Sequence, residues 1–350
     1  MLQLEMAPST IREIHTQLTK LLDVKVPILL APMSTGGGGL LAGQVTKYGG
    51  FAFIPAGDDT VENIKKEVQT FKDVVKPSPA VQVPVGIAFF GWYLEAGHKD
   101  QLICALDLKV KAVFFAFSDH MDRWINFVKG YDQASGRRTI IFVVVHSGAQ
   151  AASAAEWGAD VVVAQGIEAG GHGANYAPPL LVQLSAVQIA LPDDGPLIVA
   201  AGGITTGSHI AALLTAGAHG CLVGTRFAMA KESYYIQSQR ELIVSTKSNA
   251  ATERTLAFDY MVGSVGWPEG IDGRAFKNKT TEEFDGGDNV DELRATYEVA
   301  AREGDATRIA TWAGLGSVLI TKTSESTKDI MVELTEECFA RLKAVCISLE

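Results

Sequence analysis

Short apolar runs recur along the first 225 or so residues, each cut off by glycine or small polar residues. The runs are Val26–Met33, Phe51–Pro55, Val83–Phe90, Ala112–Phe117, Thr139–Val145, Val161–Ala164, Leu197–Ala201 and Gly220–Val223. A run of this kind bounded by turn residues predicts a strand buried on both faces, as in a parallel sheet. Between the runs the spacing turns helical. Over 60–75, for example, Val61, Ile64, Val68, Phe71 and Val75 fall on one side. Further helices are predicted at 40–48, 149–157, 180–191 and 208–216, and an amphipathic one at 9–22 with Ser9 or Thr10 as cap and Glu13 in its first turn. Eight buried runs alternating with helices over about 200 residues match an α/β fold of the (β/α)8 TIM-barrel kind. The rival, a doubly wound sheet, rarely needs eight consecutive parallel strands.

After the eighth run the rhythm breaks. Residues 231–247 read as helical, 256–291 are rich in Gly, Asp and Lys without a clear period, and helices return at 291–302 and 328–346. A bare loop of such length is unusual in a compact domain. The expectation is therefore a barrel over 1–235, completed by 306–350, and a packed cap over 236–305. Either a small second domain over the barrel mouth or a long excursion that returns would satisfy it.

With 47% hydrophobic and 20% charged residues, the 350-residue chain is globular in character. Its net charge of −10 and scattered Lys and Arg exclude a nucleic-acid partner, which needs a basic stripe. A small anion stays open, because backbone amides can hold one. Cys104, Cys221, Cys338 and Cys346 form no CxxC pair or zinc spacing, and Cys221 sits in a strand-like run as a core thiol. That usage suits a reducing compartment. No basic leader with a long apolar core opens the chain, and no stretch approaches the roughly 18 apolar residues of a membrane helix. A cytoplasmic protein without a membrane partner is expected, and a homo-oligomer stays open.

In such barrels the functional residues sit at the C-terminal strand ends. The sixth run leads into Gln165, Gly166, Glu168, Gly170, Gly171 and His172. Glycines there let backbone approach a ligand, and imidazole is the side chain suited to proton transfer near neutral pH. The seventh and eighth runs end in Gly202-Gly203 and Gly224-Thr225, where such barrels place a phosphate site. A competing signal is Gly37–Ala42, which fits GxGxxA with Asp58 some way on, the shape of a dinucleotide fingerprint. In the barrel reading, 31–39 is instead the first βα loop, its backbone lying over a ring system. No GxSxG elbow and no HExxH occur, so neither an α/β-hydrolase nor a metal is expected. Phe89, Phe90, Trp92 and Tyr93 either pack the rim or wall an apolar substrate pocket.

APMSTGG (31–37), QGIEAGGHG (165–173), AAGGI (200–204) and GTRF (224–227) follow one another at these strand ends. Together they resemble the nitronate monooxygenase family, formerly 2-nitropropane dioxygenases, over roughly 24–230; Trp312-Ala313-Gly314 is similar to the family's late WAG-type segment. EAGGH is shared with flavin-dependent enoyl-acyl-carrier-protein reductases. The resemblance implies an FMN-dependent barrel enzyme that oxidises alkyl nitronates, and nitroalkanes after deprotonation, with O2 to carbonyl compounds and nitrite. It implies that Ala31, Met33, Gln165, Gly170, Gly171, Gly202, Gly203, Gly224 and Thr225 hold FMN and that His172 is the catalytic base beside it. Bacterial members often carry Asn at the end of the third strand, whereas this chain has Ala88, which points to the fungal-type branch. The alternatives are an enoyl-thioester reductase using NAD(P)H and a non-catalytic flavin-binding protein. The acidic run Glu282, Glu283, Asp285, Asp288, Asp291 and Glu292 favours a small substrate over a phosphate-bearing thioester, which a basic entrance would steer.

Overall fold

The computed structural model describes residues 12–57, 59–79, 81–118 and 120–347. Six strands come first: β1 (Ile28–Leu30), β2 (Phe51–Pro55), β3 (Val83–Phe90), β4 (Val110–Ala116), β5 (Ile140–Val145) and β6 (Val161–Gln165). Then follow β7 (Gly171–Ala174), β8 (Leu197–Ala201), β9 (Gly220–Val223), β10 (Thr252–Thr255) and β11 (Ile271–Phe276). β1 to β6, β8 and β9 form a closed parallel barrel with flanking helices, a (β/α)8 TIM barrel. It closes where Ile28, Leu29 and Leu30 lie beside Cys221, Leu222 and Val223.

The continuous apolar runs are explained by burial on both faces. Alternate residues such as Leu29, Phe53, Phe114, Phe142, Val163 and Leu222 fill the barrel interior, while Ile28, Leu30, Ile54, Phe115 and Val143 face the helices. Inside, the Phe53 ring meets Phe114 at 5.0 Å and Phe142 at 4.9 Å between centroids. The bottom is plugged by the helix Gln17–Leu22, whose Leu18 and Leu22 join the interior cluster. This helix is shorter than the predicted 9–22. Thr16 caps it through a reciprocal pair with Thr19, and Glu13 lies ahead of it because Ile14 N donates to Lys25 O in an extended segment. Ser9 and Thr10 lie outside the described residues, as do Asp58 and Asp119.

The excursion after β9 returns. After the four-residue helix Thr225–Ala228 the next helix is Gln237–Ser245, not 231–247, since 231–236 is held as irregular chain by Lys231 N donating to Glu325 O and Tyr234 N to Gly36 O. The stretch 256–291, which has no period, contains a short helix (Ala257–Val262), strand β11 and the helix Lys279–Asp285. β10 and β11 form an antiparallel hairpin, and β11 pairs on its other side with β7. Strands of four to six residues, all buried or half-buried, give a weak sequence signal, so the pattern predicts no second sheet here. The chain then comes back as Thr327–Ile347, which takes the place of the eighth barrel helix against Gly207–Thr215 and Gly39–Lys47. Glu337 fixes it there by accepting from Gly207 N (2.8 Å) and Ser208 Oγ (2.6 Å).

The dinucleotide pattern has a packing role. Gly39 N donates to Glu67 Oε2 (2.6 Å), and side chains at Gly38 or Gly39 would overlap Glu67. These glycines let the helix Gly39–Lys47 lie against Val61–Val75. The acidic run lies on Lys279–Asp285, Val290–Glu303 and the turn between them. Glu283 pairs there with Arg308 and Asp291 with Arg294.

Arg226 ties the end of β9 to the returning chain. Its guanidinium, 4% exposed, meets Glu325 at 2.6 Å and Glu333 at 3.4 Å. Removing one partner of a buried pair leaves the other charge uncompensated, at a cost of about 3–5 kcal/mol. Arg226→Ala should lower the unfolding free energy from urea titration by about that much, and Arg226→Met combined with Glu325→Leu should recover most of it; an Arg226→Ala loss under about 1 kcal/mol would mean that water and Lys322, 3.3 Å away, relieve Glu325.

Candidate functional site at the barrel mouth

The C-terminal ends of the barrel strands surround a cavity of 440 Å³, within the usual range of ligand pockets. Its floor is the top of the barrel interior: Ala88, Phe114, Val144, Val163 and Leu222. All ten residues singled out from sequence line it. Ala31 and Met33 follow β1, Gln165, Gly170, Gly171 and His172 follow β6, Gly202 and Gly203 follow β8, and Gly224 and Thr225 follow β9. Phe89 and Phe90 line it too, Phe89 packing in the core at the same time, whereas Tyr93 stacks on His98. None of the six acidic residues of 282–292 is part of the lining.

One end of the cavity is lined by glycine and threonine residues that follow β8 and β9. Gly202 (φ 117°) and Gly203 (φ 69°) hold left-handed backbone that favours glycine. Beside them Thr205 Oγ1 is buried without a hydrogen-bond partner, a costly state for a hydroxyl that a bound acceptor would relieve. Thr225 Oγ1 accepts from Gly314 N (3.1 Å), which leaves its proton to donate elsewhere. Glycine backbone and two hydroxyls thus lie beside an apolar floor in one cavity.

The loop after β6 is stitched down from two sides. Glu168 accepts from Leu180 N through both oxygens (2.9 and 3.0 Å), capping a helix that has no side-chain cap of its own. Glu168 O accepts from Leu315 N (2.9 Å), and a methyl at Gly170 would overlap the backbone of Ala313 and Gly314. The glycine is thus required by the Trp312–Gly314 strap crossing it. Behind the loop, Gln165 accepts from His146 Nε2 (2.7 Å) and donates to His172 O (3.2 Å), which fixes the amide's orientation. Burial pushes the His146 imidazole down to about 4, so it is neutral and donates. Phe117, whose backbone is left-handed (φ 59°), lays its ring near His146, a locally strained residue at the cavity wall.

His172 stands on β7 opposite Gly273 of β11. Its Nε2 lies 2.9 Å from Asp259 Oδ1, and Trp267 Nε1 donates to that same oxygen at 3.1 Å. The Trp267 indole stacks on the imidazole, with centroids 3.7 Å apart and planes 6° apart, and Trp312 approaches to 5.1 Å. The side chains are 14% (His172) and 5% (Asp259) exposed. Sequence reasoning missed Asp259, Trp267 and Thr205. Asp259 is 87 residues from His172 on a six-residue helix, and no spacing rule links such positions.

The profile of a family described as "Nitronate monooxygenase" matches residues 15–337. A nitronate monooxygenase of Neurospora crassa is 28% identical over 348 residues, covering 92% of this chain and 91% of the relative. The nitronate monooxygenase npaC of Metarhizium robertsii is 27% identical, covering 93% and 94%. Among solved structures, FabK from Thermotoga maritima superposes with a TM-score of 0.77 at 24% identity, over 95% of this chain and 98% of that one, which shows the shared fold.

His146 makes the site acid-sensitive. Its value falls from 6.5 to about 4 on folding, so the unfolded chain takes up a proton first. The stability it contributes is whole above about pH 6.5 and is lost as pH falls toward about 4, on the order of 3 kcal/mol. Urea titrations between pH 7 and 4.5 should show wild type declining more steeply than His146→Gln; parallel declines would mean that His146 titrates alike in the folded and unfolded chain.

Proposed function

The chain belongs to the nitronate monooxygenase family, on its fungal side, and as a flavin-dependent oxidoreductase of that family we propose that it uses FMN to oxidise alkyl nitronates with O2. The products are a carbonyl compound and nitrite. The observation that carries this reading is a phosphate-suited end and a histidine facing one apolar-floored cavity. Thr205, Thr225 and the glycines 202, 203 and 224 would hold the phosphate, while Ala31, Met33, Gln165, Gly170 and Gly171 would border the ring. When bound, the flavin supplies the electron transfer and the O2 chemistry.

The chain's own residues do the rest. His172 removes a proton from the carbon bearing the nitro group when the substrate arrives neutral. Gln165, its carbonyl oxygen engaged by His146, presents an amide N–H edge that suits a nitro or flavin oxygen. Phe90, Phe117, Trp267 and Trp312 wall the cavity, exclude water and suit a short alkyl substituent. Residues 236–305 act as the cap that supplies part of this wall. Among the described residues no helix is long and apolar enough to cross a membrane, and we place the enzyme in the cytoplasm, where its unpaired thiols are stable.

Purified protein should release FMN on denaturation and form nitrite from a preformed alkyl nitronate in air. Recovery of FAD, or anaerobic bleaching of the flavin by NADPH or NADH followed by reoxidation with an enoyl thioester, would overturn the assignment. Thr205→Val should weaken FMN binding about tenfold, measured by fluorescence titration, with little change in the stability of the flavin-free protein, since the hydroxyl has no protein partner.

A further inference from the structure

Resting on the reading of His172 as the base, we propose that Asp259 is a positioning residue that fixes His172 as its Nε2–H tautomer, so that Nδ1 accepts the α-proton of a neutral nitroalkane. The geometry argues it in three steps. First, Asp259 Oδ1 accepts from Trp267 Nε1 and lies 2.9 Å from His172 Nε2; a carboxylate oxygen can only accept, so Nε2 must carry the proton. Second, Nδ1 has no hydrogen bond to any described residue, and His172 lines the cavity, so the lone pair left on Nδ1 is the one available to a bound molecule. Third, Asp259 Oδ2 is buried without a hydrogen-bond partner among the described residues. A carboxylate with unmet demand stabilises the imidazolium that forms when Nδ1 takes a proton.

Among the described residues, only Trp267 besides His172 donates a hydrogen bond to the Asp259 carboxylate. Arg254 on β10 is committed to Asp272 and to Gly173 O, and Arg274 on β11 donates to Ile167 O (3.3 Å). Tyr297, on the helix Val290–Glu303, accepts from Ala310 N (3.2 Å), and His146 is turned to Gln165. Trp267 stacks flat on the ring, so the imidazole is held in plane as well as in tautomer. In the step itself the substrate's C–H bond breaks and an Nδ1–H bond forms. The C–H electron pair becomes the C=N bond of the nitronate, and the negative charge rests on the nitro oxygens. A substrate that arrives already as the anion skips this step. Asp259 therefore bears on which protonation state of the substrate is used: the dyad extends the enzyme from nitronates to neutral nitroalkanes.

The test uses flavin-loaded protein labelled with 15N-histidine. In wild type the His172 signals, assigned by their loss in His172→Asn, should show a bare Nδ1 and a protonated Nε2. In Asp259→Ala this signature should give way to a tautomer mixture. In parallel, kcat/KM for nitroethane should fall about 10²-fold in Asp259→Ala, at least tenfold more than kcat/KM for preformed ethylnitronate. Asp259→Ala added to His172→Asn should cost little more than His172→Asn alone, because the two act as a unit. A protonated Nδ1 in wild type would overturn the proposal, as would equal losses on both substrate forms or additive losses in the double variant. Asp259→Asn is the second variant should Asp259→Ala fold poorly, with the same expectations. Absence of turnover of either substrate by wild type would refute the functional reading instead, and the 15N signature would still decide the tautomer.

Discussion

Four residues, Gly171–Ala174, leave the barrel after its sixth strand, and their backbone groups need partners that the barrel cannot supply. The cap hairpin supplies them: Gly171, His172, Gly173 and Ala174 pair with Arg274, Gly273, Asp272 and Ile271. Most of the site's geometry depends on this pairing. It turns a glycine-rich loop into a strand, sets His172 at a defined register, and brings the segment carrying Asp259 and Trp267 to the imidazole. Arg254, which donates to Gly173 O from the next strand, clamps the same junction.

The cap is accordingly part of the site. Its chain leaves after β9 and comes back through the strap Trp312–Gly314, which lies against Gly170, and then through the barrel's last helix. The Arg226–Glu325 pair and the Glu337 contacts anchor that return at two points. Strap, hairpin and β6 loop each touch the other two, so Gly170 is fixed by a chain approach and Glu168 by the helix it caps. The family resemblance of this stretch thus mixes residues that face the cavity with residues that hold the loop in shape.

The barrel and the ring of ligand-facing positions were legible in the sequence because each depends on short-range pattern. A strand buried on both faces must be apolar throughout, as Val161–Ala164 and Leu197–Ala201 are. A parallel barrel puts the residues that follow such strands around one mouth, so Gln165, Gly202 and Gly224 could be placed together without coordinates. Where two readings competed, only the contacts could separate them. Gly37–Ala42 has the form of a phosphate loop, yet its glycines answer to the crowding of two helices, which only the Glu67 contact reveals.

What the sequence determined by itself was the fold class and the location of the mouth, with His172 among the residues around it, since these follow from periodicity and from residue types at strand ends. What tertiary structure decided was the state of that histidine. Asp259 and Trp267 come from a segment with no hydrophobic period, and they reach His172 through a sheet whose strands are four to six residues long. Pairing of such strands is set by backbone hydrogen bonds, which are the same for every residue type and so leave little mark in sequence. The partner of His172, and with it the ring nitrogen left without a described hydrogen bond, is therefore fixed by the folded chain.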